Sequence, residues 1–210
     1  QYLLHYGAKE ENIFTYPFTS IKKQDILNHI IDEEDKLNLR TELGMTEDKI
    51  IISVGQFIHR KGFDTLIKSM KYLPNNIGVY IIGGTPTNEY IELRKQYNLK
   101  NLHFVEFKNK NELSKYYKSG DIFVLPTRED IWGLVINEAM AFGLPVISTQ
   151  NCIAGIELVK ENGYIVSCEN YHELAMKITE IINDNKKIIG FSNKSLEIIQ
   201  KYTIENMAKI

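Results

Sequence analysis

The chain has 210 residues, 43% of them apolar and 25% charged, with a formal net charge of -2. This length suits one domain or slightly more with a proper core, and the near-neutral balance excludes a general attraction to nucleic acid or to an anionic membrane. The two cysteines, Cys152 and Cys168, are too few for a disulfide framework and lack metal-site spacing, so free thiols in a reducing cytoplasm are expected.

No apolar run reaches the length of a bilayer span, and no signal peptide opens the chain. The start at Gln1, without an initiator Met, reads as a piece of a longer protein. Tyr16 to Ile21 reads as a connector. Asp25 to Leu43 reads as a charged, solvated helix that Gly44 stops. Within it, Asp32-Glu33-Glu34-Asp35 lacks a glycine-turn scaffold and reads as a solvated face rather than a metal site.

From Ile50 onward a short apolar strand, a turn and an amphipathic helix recur. The predicted strands are Ile50–Val54, Val79–Ile82, Leu102–Val105, Asp121–Leu125, Pro145–Ser148 and Gly163–Val166. Most are continuous β-branched runs, as strands covered on both faces require. Helical stripes lie between them: Phe63, Leu66, Ile67 and Met70; Leu113, Tyr116 and Tyr117; Leu134, Val135, Glu138, Ala139 and Phe142. Two further helices are predicted from Tyr171 to Ile210. The alternation predicts an α/β fold with a doubly wound parallel sheet, whose ligands bind outside the carboxyl ends of the strands.

Three strand-end segments carry candidate chemistry. In Val54-Gly55-Gln56-Phe57-Ile58-His59-Arg60-Lys61-Gly62, Gly55 admits close backbone approach. The helix start with Arg60 and Lys61 suits a phosphate, although a plain turn with solvated basic residues has the same pattern. Gly83-Gly84 ends the second strand and either lines the same cleft or makes a tight turn. It is no G-x-G-x-x-G fingerprint, so a dinucleotide redox cofactor is not expected.

The third segment runs from Leu125 through Pro126-Thr127-Arg128-Glu129-Asp130-Ile131-Trp132-Gly133-Leu134 to Glu138-Ala139-Met140-Ala141-Phe142-Gly143-Leu144-Pro145. Glu138 falls on an apolar stripe, where a carboxylate needs a partner. The two vicinal hydroxyls of a ribose would serve, and so would a structural Lys or Arg. For Asp130 the plain alternative is a helix cap or loop residue.

This third segment resembles the E-x7-E signature of GT-B glycosyltransferases, in particular family four, the large retaining family that builds lipopolysaccharide, capsule and glycolipid. That family's loop has the form P-S-R-x-E-x-F-G-L-x-x-x-E-A-M-A-x-G-x-P-V, and the resemblance runs in register from Ile50 to the C-terminus. It implies a Rossmann-like, C-terminal donor-binding domain over residues 50–210. Residues 1–20 would then be the end of an N-terminal acceptor domain with its connector, and residues 21–49 a connecting helical segment.

By the same resemblance, Lys61 binds the donor diphosphate with Gly55 beside it, Asp130 meets the sugar hydroxyls and Glu138 holds the ribose. Backbone amides of Trp132, Gly133 and Leu134 face sugar or phosphate. Gly83 and Gly84 remain candidates for the cleft lining from their strand-end position, and by the resemblance Glu106, Phe107 and Lys108 approach the base. Gln56 replaces the usual Arg, with Arg60 as the nearby substitute cation. Asp130 replaces the usual Glu, and Glu106 stands where Gly is common.

The implied activity is retaining transfer of a sugar from a nucleotide-diphosphate sugar to a glycan or lipid-linked acceptor. It needs no metal or other cofactor and involves no nucleic acid. The setting implied is bacterial cell-surface polysaccharide or glycolipid synthesis, in the cytoplasm or at the inner membrane face. The family's catalytic His lies in the acceptor domain. None of the five histidines substitutes for it, so this chain alone is expected to transfer little or nothing. A non-hydrolysing nucleotide-sugar epimerase and a catalytically silent binding module are the competing readings.

Overall fold

The computed structural model describes residues 2–14, 16 and 18–209, and Pro17 of the expected connector lies outside them. A four-residue helix α1 (Tyr2–His5) is followed by 3-10 turns at Glu10–Asn12 and Lys23–Asp25. Helix α2 (Glu33–Glu42) leads into strand β1 (Lys49–Val54), followed by α3 (Phe63–Ser69), β2 (Ile77–Ile82), α4 (Asn88–Gln96) and β3 (Leu102–Val105). Then come α5 (Lys110–Ser119), β4 (Ile122–Leu125), α6 (Leu134–Ala141), β5 (Val146–Thr149), α7 (Ile153–Leu158) and β6 (Gly163–Val166). Helices α8 (Tyr171–Ile182), α9 (Asn185–Ile199) and α10 (Ile204–Met207) close the chain, so one short helix follows the two expected there.

All six strands pair in parallel in the order β3-β2-β1-β4-β5-β6. Strand side chains alternate between the two faces of the sheet. Ile50, Ile52 and Val54 of β1 therefore join one core with Phe123, Leu125 and Val146, while Ile51 joins the other with Val79, Ile81, Val124 and Ile147. Helices α5 and α6 cover the first face, and α3 and α8 the second. Each fully buried side chain of this kind contributes roughly 1.5–3 kcal/mol. The chain order reverses between β1 and β4, so their carboxyl ends open the crevice where such sheets bind ligands.

The segment from Asp25 to Leu43 differs from its reading as one solvated helix. A 3-10 turn (Lys23–Asp25) precedes an irregular stretch, and α2 begins only after Asp32, whose side chain accepts from the Asp35 amide at 2.8 Å. The acidic run is exposed as expected, and it favours the positive end of the helix dipole. Gly44, at φ +69, ends the helix, with Met45 N–H donating to Arg40 O and Gly44 N–H to Thr41 O. That pair of bonds is the Schellman stop.

The opposite face of α2 is not solvated. The side chains of Lys36 and Arg40 are 10% and 7% exposed and converge on Asp121, at 3.2 and 2.7 Å. Asp121 also accepts from the Ile50 amide, and Arg40 donates to Ser119 O and Asp48 O. A buried ionic cluster thus ties α2 to the amino ends of β1 and β4.

Candidate active site

Two loops meet at the crevice, and backbone contact sets their spacing. A Cβ on Gly83 would stand 1.8 Å from Gly55 O, and one on Gly62 2.1 Å from Pro126 O. Only glycine fits either contact. Gly83 and Gly84 both donate to Val105 O, so they form a wall without side chains.

After Gly55, Phe57 turns into the core against Phe63, Tyr90 and Phe104, and Gln56 stays exposed. The chain then makes a 3-10 turn, His59–Lys61, before α3. Lys61 Nζ donates to Asp130 Oδ2 at 2.5 Å, and Arg60 Nη1 lies 3.6 Å from Asp130 Oδ1. Both members of the Lys61–Asp130 pair are nearly buried, at 12% and 11%. The structure therefore joins two residues that were expected to serve different parts of one ligand. The Asp130 amide donates to Asn151 O and its carbonyl accepts from Ile153 N–H, which fixes the acidic loop.

Gly133, at φ +99, caps α6, and a Cβ there would meet Cys152 Sγ at 2.8 Å. The first amides of a helix lack intrahelical acceptors. Those of Leu134 and its neighbours lie at the end of the loop that carries Asp130. The Trp132 side chain is occupied elsewhere: its Nε1 donates to Asn137 Oδ1 at 2.9 Å and its ring meets Phe18 edge-on at 5.5 Å. Trp132 thus fastens residue 18 to α6 by its side chain. Both cysteines are free, and Cys152 is buried beneath this loop.

Arg128 has a role that the sequence motif did not reveal. Its guanidinium donates to His59 O at 2.8 Å, to both oxygens of Asp64 at 2.8 and 2.9 Å, and to Glu169 at 2.5 Å. It therefore holds the turn that presents Lys61. Its own amide and the Thr127 hydroxyl both donate to Arg60 O at 2.8 Å. The only hint in the sequence is an Arg at a strand end among acidic residues.

Burial pushes the Asp64 carboxyl up, but hydrogen bonds from Arg128 and Lys68 outweigh it and bring the pKa to about 2. Such a depressed carboxylate stabilises the fold above about pH 4, and the contribution disappears as pH falls toward about 2. Asp64→Asn is expected to cost about 2 kcal/mol at neutral pH and to make the acid limb of stability shallower. Urea unfolding at stepped pH would show this; an unchanged acid limb would contradict it.

Glu138 opens on a second region. It lines a cleft of about 560 Å³ together with Phe107, Lys108, Lys110, Tyr117 and Asp25. Phe107 is 78% exposed at its edge. Lys110 pairs with Asp25 at 2.8 Å across the cleft. No Lys or Arg pairs with Glu138 among the described residues; its partner is the Tyr117 hydroxyl at 2.9 Å. Burial pushes its carboxyl up, and the Tyr117 hydrogen bond and the charge of Lys110 offset this in part. Among the described residues no group of His, Cys, Asp or Glu is arranged to hold a metal ion, and no helix is long and apolar enough to cross a membrane.

The model of the family described as Glycosyl transferases group 1 matches residues 35–202. A glycosyltransferase of Haemophilus influenzae is 31% identical over 176 residues, covering 80% of this chain and 49% of its own length. The capsular polysaccharide biosynthesis glycosyltransferase CapM of Staphylococcus aureus is 29% identical, covering 89% of this chain and 51% of its own length. The chain thus spans about half the length of the curated relatives it matches. Anabaena HepE in complex with UDP shares the fold, with a TM-score of 0.85 at 19% identity over 98% of this chain and 58% of that one. With its six-stranded parallel sheet, the chain belongs to the glycosyl transferases group 1 family and has the fold of a GT-B C-terminal domain.

Proposed function

We propose that this chain is the donor-binding half of a retaining glycosyltransferase acting in bacterial polysaccharide, capsule or glycolipid synthesis. The observation that carries the reading is Glu138: a largely buried carboxylate without a cation, opening on a cleft formed by the connecting segment, the loop after β3, α5 and α6. A buried carboxylate needs hydrogen-bond donors, and the two vicinal hydroxyls of a ribose supply them. Phe107, beside it, offers an exposed ring to a base. The solved relative HepE holds UDP on the same fold, and CapM acts in capsule synthesis.

The diphosphate would lie at the start of α6, against Lys61 and Arg60. Preorganised cations and helix amides stabilise charge as it develops on the leaving group, so the reading requires no metal. Family membership favours a transferase over an epimerase or a silent module. Acceptor binding is assigned to the other half of the full-length protein, and this chain by itself is expected to bind donor but transfer little. Robust transfer by the chain alone would count against that division.

Calorimetric titration with UDP, GDP and ADP tests the reading. One of the three is expected to bind, and Glu138→Ala to weaken it about 10- to 100-fold, as the loss of hydrogen bonds to a charged group implies. Affinity unchanged by Glu138→Ala would remove the ribose assignment.

A further inference from the structure

Glu138 is held from one side only. Its Oε2 accepts from the Tyr117 hydroxyl, and Oε1 has no protein partner among the described residues. Tyr117 sits in α5, fully enclosed, with its ring stacked on Phe142 at 5.4 Å and 13° and tilted against Phe123 at 6.0 Å. Phe142 follows Glu138 by one helical turn, and its amide donates to Glu138 O. One side chain of α5 therefore grips α6 at two points a turn apart: the ring at Phe142 and the hydroxyl at the carboxylate. Burial holds the Tyr117 phenol well above its usual range, which keeps it a proton donor at every working pH.

We propose that Tyr117 is the positioning residue for nucleoside recognition: its hydroxyl fixes Glu138 through Oε2 and leaves Oε1 for the vicinal hydroxyls of the donor's ribose. This rests on the reading of the cleft as the nucleoside site. A free glutamate side chain in a cleft this size would sample several rotamers, and each would aim the carboxylate elsewhere. A carboxylate pinned at one oxygen loses that freedom before the ligand arrives, so less is lost on binding.

The same bond governs protonation. The charged groups that line the cleft are Lys108, Lys110 and Lys118 on one side, Asp25 on the connecting segment and Glu138 on α6. Asp25 neutralises Lys110 in part, through their 2.8 Å contact. Hydrogen bonding from Tyr117 and the charge of Lys110 favour the carboxylate form of Glu138, and burial opposes them. Burial already holds the Glu138 carboxyl above its usual range; without the hydroxyl that push is opposed by Lys110 alone, and Glu138 takes up a proton at higher pH still. The ionised form accepts at both oxygens and more strongly, whereas the neutral acid gives up part of its acceptor capacity to an O–H donor.

Tyr117→Phe keeps the stacked ring and removes only the hydroxyl. The variant, the wild-type chain and Glu138→Ala would be titrated with UDP, GDP and ADP and with their 2′-deoxy forms, between about pH 5 and about pH 8. In the wild type, the nucleotide that binds is expected to lose about tenfold in affinity when its 2′-hydroxyl is absent. In Tyr117→Phe the ribonucleotide binds about tenfold more weakly, the 2′-deoxy penalty shrinks, and the loss of affinity on acidification begins at higher pH.

A general weakening with the full 2′-deoxy penalty retained would mean that Tyr117 only supports the fold, and would overturn the inference. So would unchanged affinity and pH profile, and if Glu138→Ala still weakened binding the ribose reading would survive alone. An ineffective Glu138→Ala, or no binding of any of the three nucleotides, would overturn both. Phe142→Leu removes the platform under the Tyr117 ring and spares both hydrogen-bonding groups. It is expected to move the same readouts in the same direction by less, and it decides the matter if Tyr117→Phe does not fold.

Discussion

Lys61→Ala is expected to lower the rate of sugar transfer by the full-length protein about 100- to 1000-fold, the scale seen when one preorganised donor to a developing negative charge is lost. Lys61 is the less exposed of the two cations beside Asp130, at 12% against 42% for Arg60, and sits on a turn that Arg128 and Thr127 hold in place. The change also removes the 2.5 Å partner of Asp130 and leaves that carboxylate with Arg60 at 3.6 Å. Part of any effect will therefore be structural.

Asp130→Asn in the same chain separates the two contributions. If the double variant regains stability in urea but not rate, the ammonium acts on the diphosphate itself. If it regains the rate as well, Lys61 serves only to neutralise Asp130, and neither side chain takes part in the chemistry. A Lys61→Ala protein with the wild-type rate would exclude the residue from the chemistry altogether.

Asp121→Ala carries the largest expected loss of stability, about 3–5 kcal/mol, because removing one partner leaves buried charge uncompensated. Arg40 loses its counterion, Lys36 keeps only the exposed Glu33 at 3.7 Å, and the Ile50 amide loses its acceptor. Lys36→Met is expected to cost less, since Arg40 still neutralises Asp121. Urea unfolding of both variants would check the order. A cost below about 1 kcal/mol for Asp121→Ala would mean that water reaches the cluster and screens it.

The strands were legible because a parallel sheet covered on both faces leaves a continuous apolar run for each strand, and each predicted strand lies within two residues of the observed one. The motif loop was legible for a different reason: its letters match a family pattern, and an acidic residue on an apolar stripe, Glu138, is a local signal. The reading of Asp25 to Leu43 went astray where local signals ended. Lys36 and Arg40 look like surface charge on a helix, and their partner Asp121 lies 85 and 81 residues away. Arg128 was visible only as a letter of the motif, since Asp64 and Glu169 come to it through the fold. Tyr117 was assigned to an apolar stripe, which accounts for its ring but not for its hydroxyl.

The strand order also shapes how the chain is made. By the time a ribosome has produced β2, β1 has a neighbour on one side only; its other edge must wait for β4, through residues 83–121. At roughly 5–20 residues per second this wait lasts on the order of seconds, with Ile50, Ile51 and Ile52 on a bare edge of the kind that invites pairing with another chain. Over the same interval Lys36 and Arg40 have no Asp121 to bury them. Emergence of Asp121 with β4 supplies the counter-charge that both cations need to be buried, so one segment closes the bare edge of β1 and completes the docking of α2.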